Sequence, residues 1–184
     1  MKRIIEGLYQ KIADAKPLFQ QYNLLLDDPD GTTHNFYMDV YRSQPLEPEL
    51  YEYFSLPAIF VDYTIQGQGT GNARLVTLTL HIILDDMPNT NNFSEQREQG
   101  FNRCVYSALL QKILEDARLT KHSGKLSFVS EEIVDEPVIN YHIQTYQIEV
   151  YLDDMIGEPA EPIIGEFETV NISGKLVKQL NNGI

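Results

Sequence analysis

Between Tyr63 and Leu78 the sequence reads YTIQGQGTGNARLVTL, with Gly67, Gly69 and Gly71 set between two apolar, β-branched stretches. A dinucleotide fingerprint places glycines at the first, third and sixth positions of a turn that opens a helix, whose amino end then holds the pyrophosphate. Here the sixth position is Asn72, and the residues after it alternate Val76, Leu78, Leu80, Ile82 and Leu84 with Thr77, Thr79, His81 and the less polar Ile83. That is the period of a strand with one face inward. A GxxxxGK[ST] phosphate loop is absent as well. The stretch is therefore predicted to be a mobile hairpin tip whose glycines relieve strain at positive φ, and a strand is expected over 73–86.

Working outward, AIFVDYTI after Pro57 reads as a buried strand, and NFYMDVY at 35–41 as a short aromatic-rich one. Ile4, Ile5, Leu8, Tyr9 and Ile12 recur at helical spacing, which predicts an amphipathic helix over 2–15 stopped by Pro17. Asn92 with Glu95 makes a capping-box pattern. It introduces a main helix expected over 93–118, with Phe101, Cys104, Val105, Ala108, Leu109, Ile113, Leu114 and Ala117 on one broad inward face. KLSFVSEEIVDE and NYHIQTYQIEVYLDD are expected to be antiparallel strands joined around Pro137, the second with Tyr146, Ile148, Val150 and Leu152 inward. Helix, strands, helix and strands with hairpin-length gaps favour an α+β fold, a mostly antiparallel twisted sheet flanked by an N-terminal helix and one long central helix. Residues 1–154 form the expected domain. Residues 155–184, with Gly157, Pro159, Pro162 and Gly165 before EFETVNISGKLVKQL, form a C-terminal extension or arm with one hairpin of its own.

Composition narrows the function classes. With 27 acidic against 14 basic residues the chain carries a formal charge of −13, which argues against a duplex-DNA binder, since such proteins draw affinity from Lys and Arg on phosphates. At 42% hydrophobic and 22% charged, with no apolar run near the roughly 18 residues of a membrane span, it reads as a soluble globular chain. Glu6, Gln10, Lys11 and Asp14 interrupt any signal-peptide core, so a cytosolic origin is expected. The single cysteine, Cys104, allows no internal disulfide and is expected to be a small buried hydrophobe.

Acidic pairs end three apolar stretches, at Asp27 and Asp28, Asp85 and Asp86, and Asp153 and Asp154. Side by side, Asp85, Asp86, Asp153 and Asp154 would make a four-carboxylate Ca²⁺ or Mg²⁺ site. The plainer reading is that they solvate strand ends and start turns, and no metal or other cofactor is expected. His34, His81, His122 and His142 form no HExxH pair and accompany no GxSxG elbow, so no catalytic residue is predicted. YEYF at 51–54 concentrates aromatic residues, which mark either a protein contact or core packing.

The N-terminal helix, FSLPAIFVDYTI, the hairpin into RLVTLTLHIILDD, the helix SEQREQGFNRCVYSALLQKIL and the closing NYHIQTYQIEVYLDD together resemble the tail-terminator proteins of long-tailed bacteriophages, over about residues 1–154. The resemblance is one of layout. It implies a non-enzymatic phage or prophage assembly protein forming a homo-oligomeric ring, usually a hexamer, that caps the tail tube and joins it to the head. Its partners would be tail-tube and head-connector proteins, with DNA passing through an acidic channel without specific binding and no membrane involved. It would reside in the bacterial cytoplasm before assembly and in the virion tail afterwards. Contact surfaces are expected at the hairpin tip, Gln66, Gly67, Gln68, Gly69, Thr70, Gly71 and Asn72. Further contacts are expected at Tyr51, Tyr53 and Phe54, and on the main helix at Glu95, Arg97, Glu98 and Arg103. The C-terminal extension over 155–184, which departs from the family, is expected from its Gly and Pro entry to be an arm reaching an adjacent subunit. The rivals are a small metal-dependent hydrolase or nuclease using the strand-end Asp pairs, and an acidic monomeric protein-binding module.

Overall fold

The structure is a computed structural model that describes residues 1–27, 33–47, 54–68, 71–85, 90–134 and 140–156. Tyr51, Tyr53, Gly69, Thr70, Asp28, Asp86, the Pro137 connection and the segment 157–184 lie outside the described residues. The sheet expected from strand alternation forms from β3 (Tyr37–Val40), β4 (Ala58–Gly67), β5 (Ala73–Leu84), β6 (Ser127–Val134) and β7 (Asn140–Tyr151), in the order β3-β4-β5-β7-β6. Three of the four pairings are antiparallel and β3–β4 is parallel. The fold is α+β with a mostly antiparallel sheet. A separate two-residue ladder joins β1 (Leu26–Asp27) to β2 (Thr33–His34).

One face of the sheet carries the main core. Val76, Leu78, Leu80, Ile82 and Leu84 of β5 and Tyr146, Ile148 and Val150 of β7 are all buried there, as the alternation predicts. Helix α1 (Lys2–Asp14) lays Ile4, Leu8 and Ile12 against them. Helix α1 ends ahead of Pro17 as expected, but Pro17 also starts new helical structure. It occupies the first turn of a second short helix, α2 (Lys16–Gln20), where its missing N–H costs nothing. Phe19 of α2 then joins Phe36 and Tyr106 in an aromatic trio with centroids 5.4 to 6.1 Å apart.

The main helix is shorter and differently turned than its sequence suggests. It breaks into α3 (Arg97–Gly100) and α4 (Asn102–Leu114). The Asn92–Glu95 capping box does not form: Ser94 Oγ accepts the Gln96 amide at 3.2 Å and Asn91 Oδ1 accepts the Phe93 amide at 2.9 Å. The inward residues of α4 are Tyr106, Leu109, Leu110 and Leu114, whereas Phe101, Cys104 and Ala108 face outward. Apolar side chains lie on two sides of this helix, so its periodicity could not say which side the sheet would take. Cys104 is therefore exposed and not the buried hydrophobe expected.

Leu152, expected as the last inward residue of β7, instead starts α5 (Leu152–Ile156), which packs on α1. The ammonium group of Met1 donates to the Met155 carbonyl at 2.5 Å. The opposite face of the sheet holds a smaller cluster, Ala58, Phe60, Ile83 and Tyr141, with Tyr37, Tyr41 and Phe54 against it.

Candidate functional site

In the hairpin that raised the nucleotide question, β5 is covered by β7 along its whole length, and only the distal half of β4 forms an open edge of the sheet. Ala58 to Val61 are wholly buried, but every residue from Asp62 to Gln68 is exposed, including Tyr63 at 36% and Ile65 at 43%. β3 accompanies β4 only as far as Val61, whose carbonyl accepts the Tyr41 amide at 3.0 Å. Alternation then turns the backbone groups of Tyr63 and Ile65 to the same outer edge. The Tyr63 amide is taken by the neighbouring Asp62 carboxylate at 2.7 Å, and beyond it the edge has no ladder partner among the described residues. Such an edge is a template for a further strand. At the tip Gly71 has φ of +105°, the left-handed region that suits glycine. Arg74 Nη1 donates to the Gly71 and Ala73 carbonyls at 3.1 and 2.7 Å, and Leu152 donates its amide to the Asn72 carbonyl at 3.2 Å. Gln66, Gly67, Gln68 and Asn72 thus stand at one end of the sheet. A strand comes after the glycines, and with it no helix amino end for a phosphate.

The strand-end carboxylates are not brought together. Leu84 pairs with Asn140 and Ala73 with Tyr151, so Asp85 and the Asp153–Asp154 pair stand at opposite ends of a strand of 12 residues, about 40 Å long. The four-carboxylate arrangement fails on register. Asp154 is buried in the first turn of α5, and its Oδ2 has no partner among the described residues.

A polar cluster that no sequence motif announced lies between α4 and the sheet. Glu131 of β6 accepts from Ser107 Oγ at 2.6 and 2.7 Å, from Gln111 Nε2 at 2.6 Å and from Gln144 Nε2 at 3.3 Å, and pairs with His142 Nδ1 at 3.1 Å. Burial by itself would raise the Glu131 pKa, but the hydrogen bonds from Ser107, His142 and Gln144 and the His142 charge hold it below the ordinary value. Serine, histidine and a carboxylate are in contact, yet not in the order that activates a nucleophile. The hydroxyl proton is committed to the carboxylate and not to an imidazole. The cluster braces a helix to two strands.

On the other face of the sheet, His81 stacks on Tyr41 with centroids 3.9 Å apart and 10° between planes, and its Nδ1 bonds the Tyr141 hydroxyl. His81 and His142 occupy neighbouring strands but opposite faces, since His81 pairs with Ile143. Burial lowers the His81 pKa, with Asp62 acting weakly in the other direction. A buried neutral histidine contributes stability in full above its unfolded value, near pH 6.5, and that contribution is lost as pH falls through the lowered folded value. Urea midpoints measured from pH 7.5 to 5 are expected to decline more steeply for the wild type than for His81→Gln, which retains an acceptor but does not titrate. Equal slopes would show that His81 does not drive the decline.

The remaining expected contact residues divide. Phe54 is not a free aromatic: it meets Phe60 edge-on at 5.0 Å and Tyr37 at 6.0 Å as part of the smaller core. Arg97 lies 5.4 Å over the Phe101 ring and Arg103 Nη1 donates to Asn140 Oδ1 at 3.4 Å, while Glu95 and Glu98 are exposed. Beside them the outward side of α4 and Tyr22 enclose an open groove of about 420 Å³, floored by Phe101, Cys104, Ala108 and Leu109 with Lys112 at its rim. Sequence reasoning missed it by turning Cys104 and Ala108 inward.

The class these features define is an α+β domain built on a mixed, mostly antiparallel five-stranded sheet in which the distal half of β4 forms an open edge. Neither a family model nor a curated protein matches the chain. No helix among the described residues is long and apolar enough to cross a membrane.

Proposed function

We propose that the protein is a structural assembly component, a ring-forming tail terminator that caps a phage tail tube and joins it to the head. The observation that carries this reading is the distal half of β4, from Asp62 on, which presents an open strand edge and the exposed apolar pair Tyr63 and Ile65. A monomer gains nothing from holding six residues of strand in solvent with two large apolar side chains bare, whereas a neighbouring subunit or tube protein would bury them. Head-to-tail contacts of this kind close into rings when the rotation permits. The formal charge of −13 suits a channel past which DNA slides. The resemblance in layout to tail terminators over about residues 1–154 is what suggests the particular role.

Replacing residues 66–72 by a two-residue Asn-Gly turn is expected to leave far-UV circular dichroism and the thermal midpoint nearly unchanged, because the removed segment buries little. Ring formation in negative stain and capping of purified tail tubes are expected to be lost. A wild-type protein that stays monomeric at high concentration and leaves tail tubes uncapped would overturn the proposal.

A further inference from the structure

We infer that the open edge of β4 from Asp62 on is closed by strand β6 of a second copy of this chain, laid antiparallel with Ile133 opposite Tyr63 and Ser130 opposite Gln66. One sheet then runs on from copy to copy. This joint rests on the ring-forming reading and gives the ring its two surfaces.

The order β3-β4-β5-β7-β6 leaves β6 at the far edge of the sheet, and its apolar residues Val129 and Ile133 are 49% and 72% exposed. A bulge between Phe128 and Ser130 interrupts its start, so its regular part is residues 130–134. That stretch is as long as residues 62–66 of β4, which lie beyond the end of β3. Strand direction fits as well. β4, β5, β7 and β6 alternate in direction, so β4 and β6 of one copy run oppositely. A rotation about an axis lying along the strands preserves both directions and brings β6 of the next copy antiparallel beside β4.

The backbone groups of the two edges also match. Val61 turns its carbonyl outward to the Tyr41 amide, and Val61–Leu80, Leu80–Gln144 and Gln144–Glu131 form one row of rungs across the sheet. Such rungs are in turn unbonded, bonded and unbonded. The row therefore turns the N–H and C=O of Glu131, and with it those of Ile133, to the outer edge of β6, as Tyr63 and Ile65 turn theirs to the outer edge of β4.

Side chains obey the same match. Tyr63 and Ile65 continue the face of Ile59 and Val61 in the main core. Ile133 shares the face of Glu131, which meets Ser107 and Gln111 of α4. The exposed apolar residues of both edges thus lie on the helix-bearing side of one continuous sheet. Charge and length then choose the register. A slip of two residues one way sets Glu132 opposite Asp62, a like-charge pair, and a slip the other way carries Tyr63 past Val134, where β6 ends. With Tyr63 opposite Ile133, Glu132 meets Thr64 and two bare apolar side chains cover each other.

That register is tested by disulfide trapping in a Cys104→Ser background. Thr64 and Glu132 fall in an unbonded pair, whose Cα atoms stand about 4.5 Å apart, within reach of a disulfide. Inside one chain the two positions are at least three strand spacings, about 14 Å, apart. Thr64→Cys protein mixed with Glu132→Cys protein under mild oxidation is expected to give a linked dimer, and neither variant to link by itself. A chain carrying both substitutions is expected to give a ladder of linked species. Ile65→Pro added to the Thr64→Cys protein is expected to abolish the link with circular dichroism unchanged, because the amide it removes points off the edge. A link that survives Ile65→Pro overturns the inference, and linkage within either single variant overturns it in favour of a two-fold joint between like edges. Rings in negative stain without linkage overturn it and leave the ring reading standing. A protein that stays monomeric and unlinked at high concentration overturns both.

Discussion

Gly7→Leu is expected to unfold the protein or to lower its thermal midpoint by more than about 8 °C, the equivalent of about 4 kcal/mol at this chain length. Gly7 lies in the second turn of α1, between the buried Ile4 and Leu8, where helix propensity alone argues against glycine by about 1 kcal/mol relative to alanine. The position is held by a close approach. A Cβ there would penetrate the Leu119 carbonyl oxygen, with the carbonyl carbon at 2.9 Å and the Cα at 3.2 Å. Those atoms are backbone and have no rotamer through which to yield, so a larger residue must prise α1 from the segment after α4. Overpacking of this kind typically costs about 1 to 3 kcal/mol for small additions and more for large ones, against a total stability of about 5 to 15 kcal/mol. Gly7→Ala, which gains the propensity term, is expected to lose about 2 kcal/mol net by chemical denaturation. An alanine variant more stable than wild type would show that the two segments are not in contact.

Glu131→Ala is expected to cost about 1 to 3 kcal/mol, because it strips the acceptor from the buried Gln144 and His142, while the partly exposed Ser107 and Gln111 can turn to water. Its carboxylate side chain is 21% exposed and the His142 ring 7%. Ser107, Gln111, Gln144 and His142 all converge on it. Glu131→Gln keeps one oxygen but points an amide at Gln111 and Ser107, so it should fall between alanine and wild type. The pH dependence has a fixed sign. A carboxyl held below its ordinary value contributes stability that is complete above the unfolded value, near pH 4.5, and vanishes as pH falls through the folded one. Acid titration of the unfolding free energy should therefore drop below about pH 4.5 in the wild type and flatten in Glu131→Ala. A loss under about 1 kcal/mol would mean that water already screens the cluster.

Much of the fold was legible in local pattern. The alternation of Val76 through Leu84 and of Tyr146 through Val150 recorded two central strands and their inward faces, and every one of the inward residues is buried. Ile4, Leu8 and Ile12 did the same for α1. Period 2 and period 3.6 are properties of one segment against one surface, so a sequence displays them without knowledge of what that surface is. The context of Gly67, Gly69 and Gly71 was legible for the same reason: the residues on either side carried the strand period, which excluded a phosphate-binding helix.

What the tertiary structure alone decided is whatever depends on pairing between distant segments. The parallel lie of β3 on β4, which stops at Val61 and leaves Asp62 to Gly67 open, comes from where two separated stretches meet. The same is true of the β5–β7 register, which sends Asp85 and Asp153 to opposite ends of the sheet. Ser107, Glu131 and His142 converge from a helix and two strands, so no spacing could reveal them. Helix α4 is the clearest case. Apolar residues on two of its sides satisfy the helical period in more than one orientation, and only the sheet on one flank, burying Tyr106 and Leu110, left Phe101, Cys104 and Ala108 to form the wall of a groove.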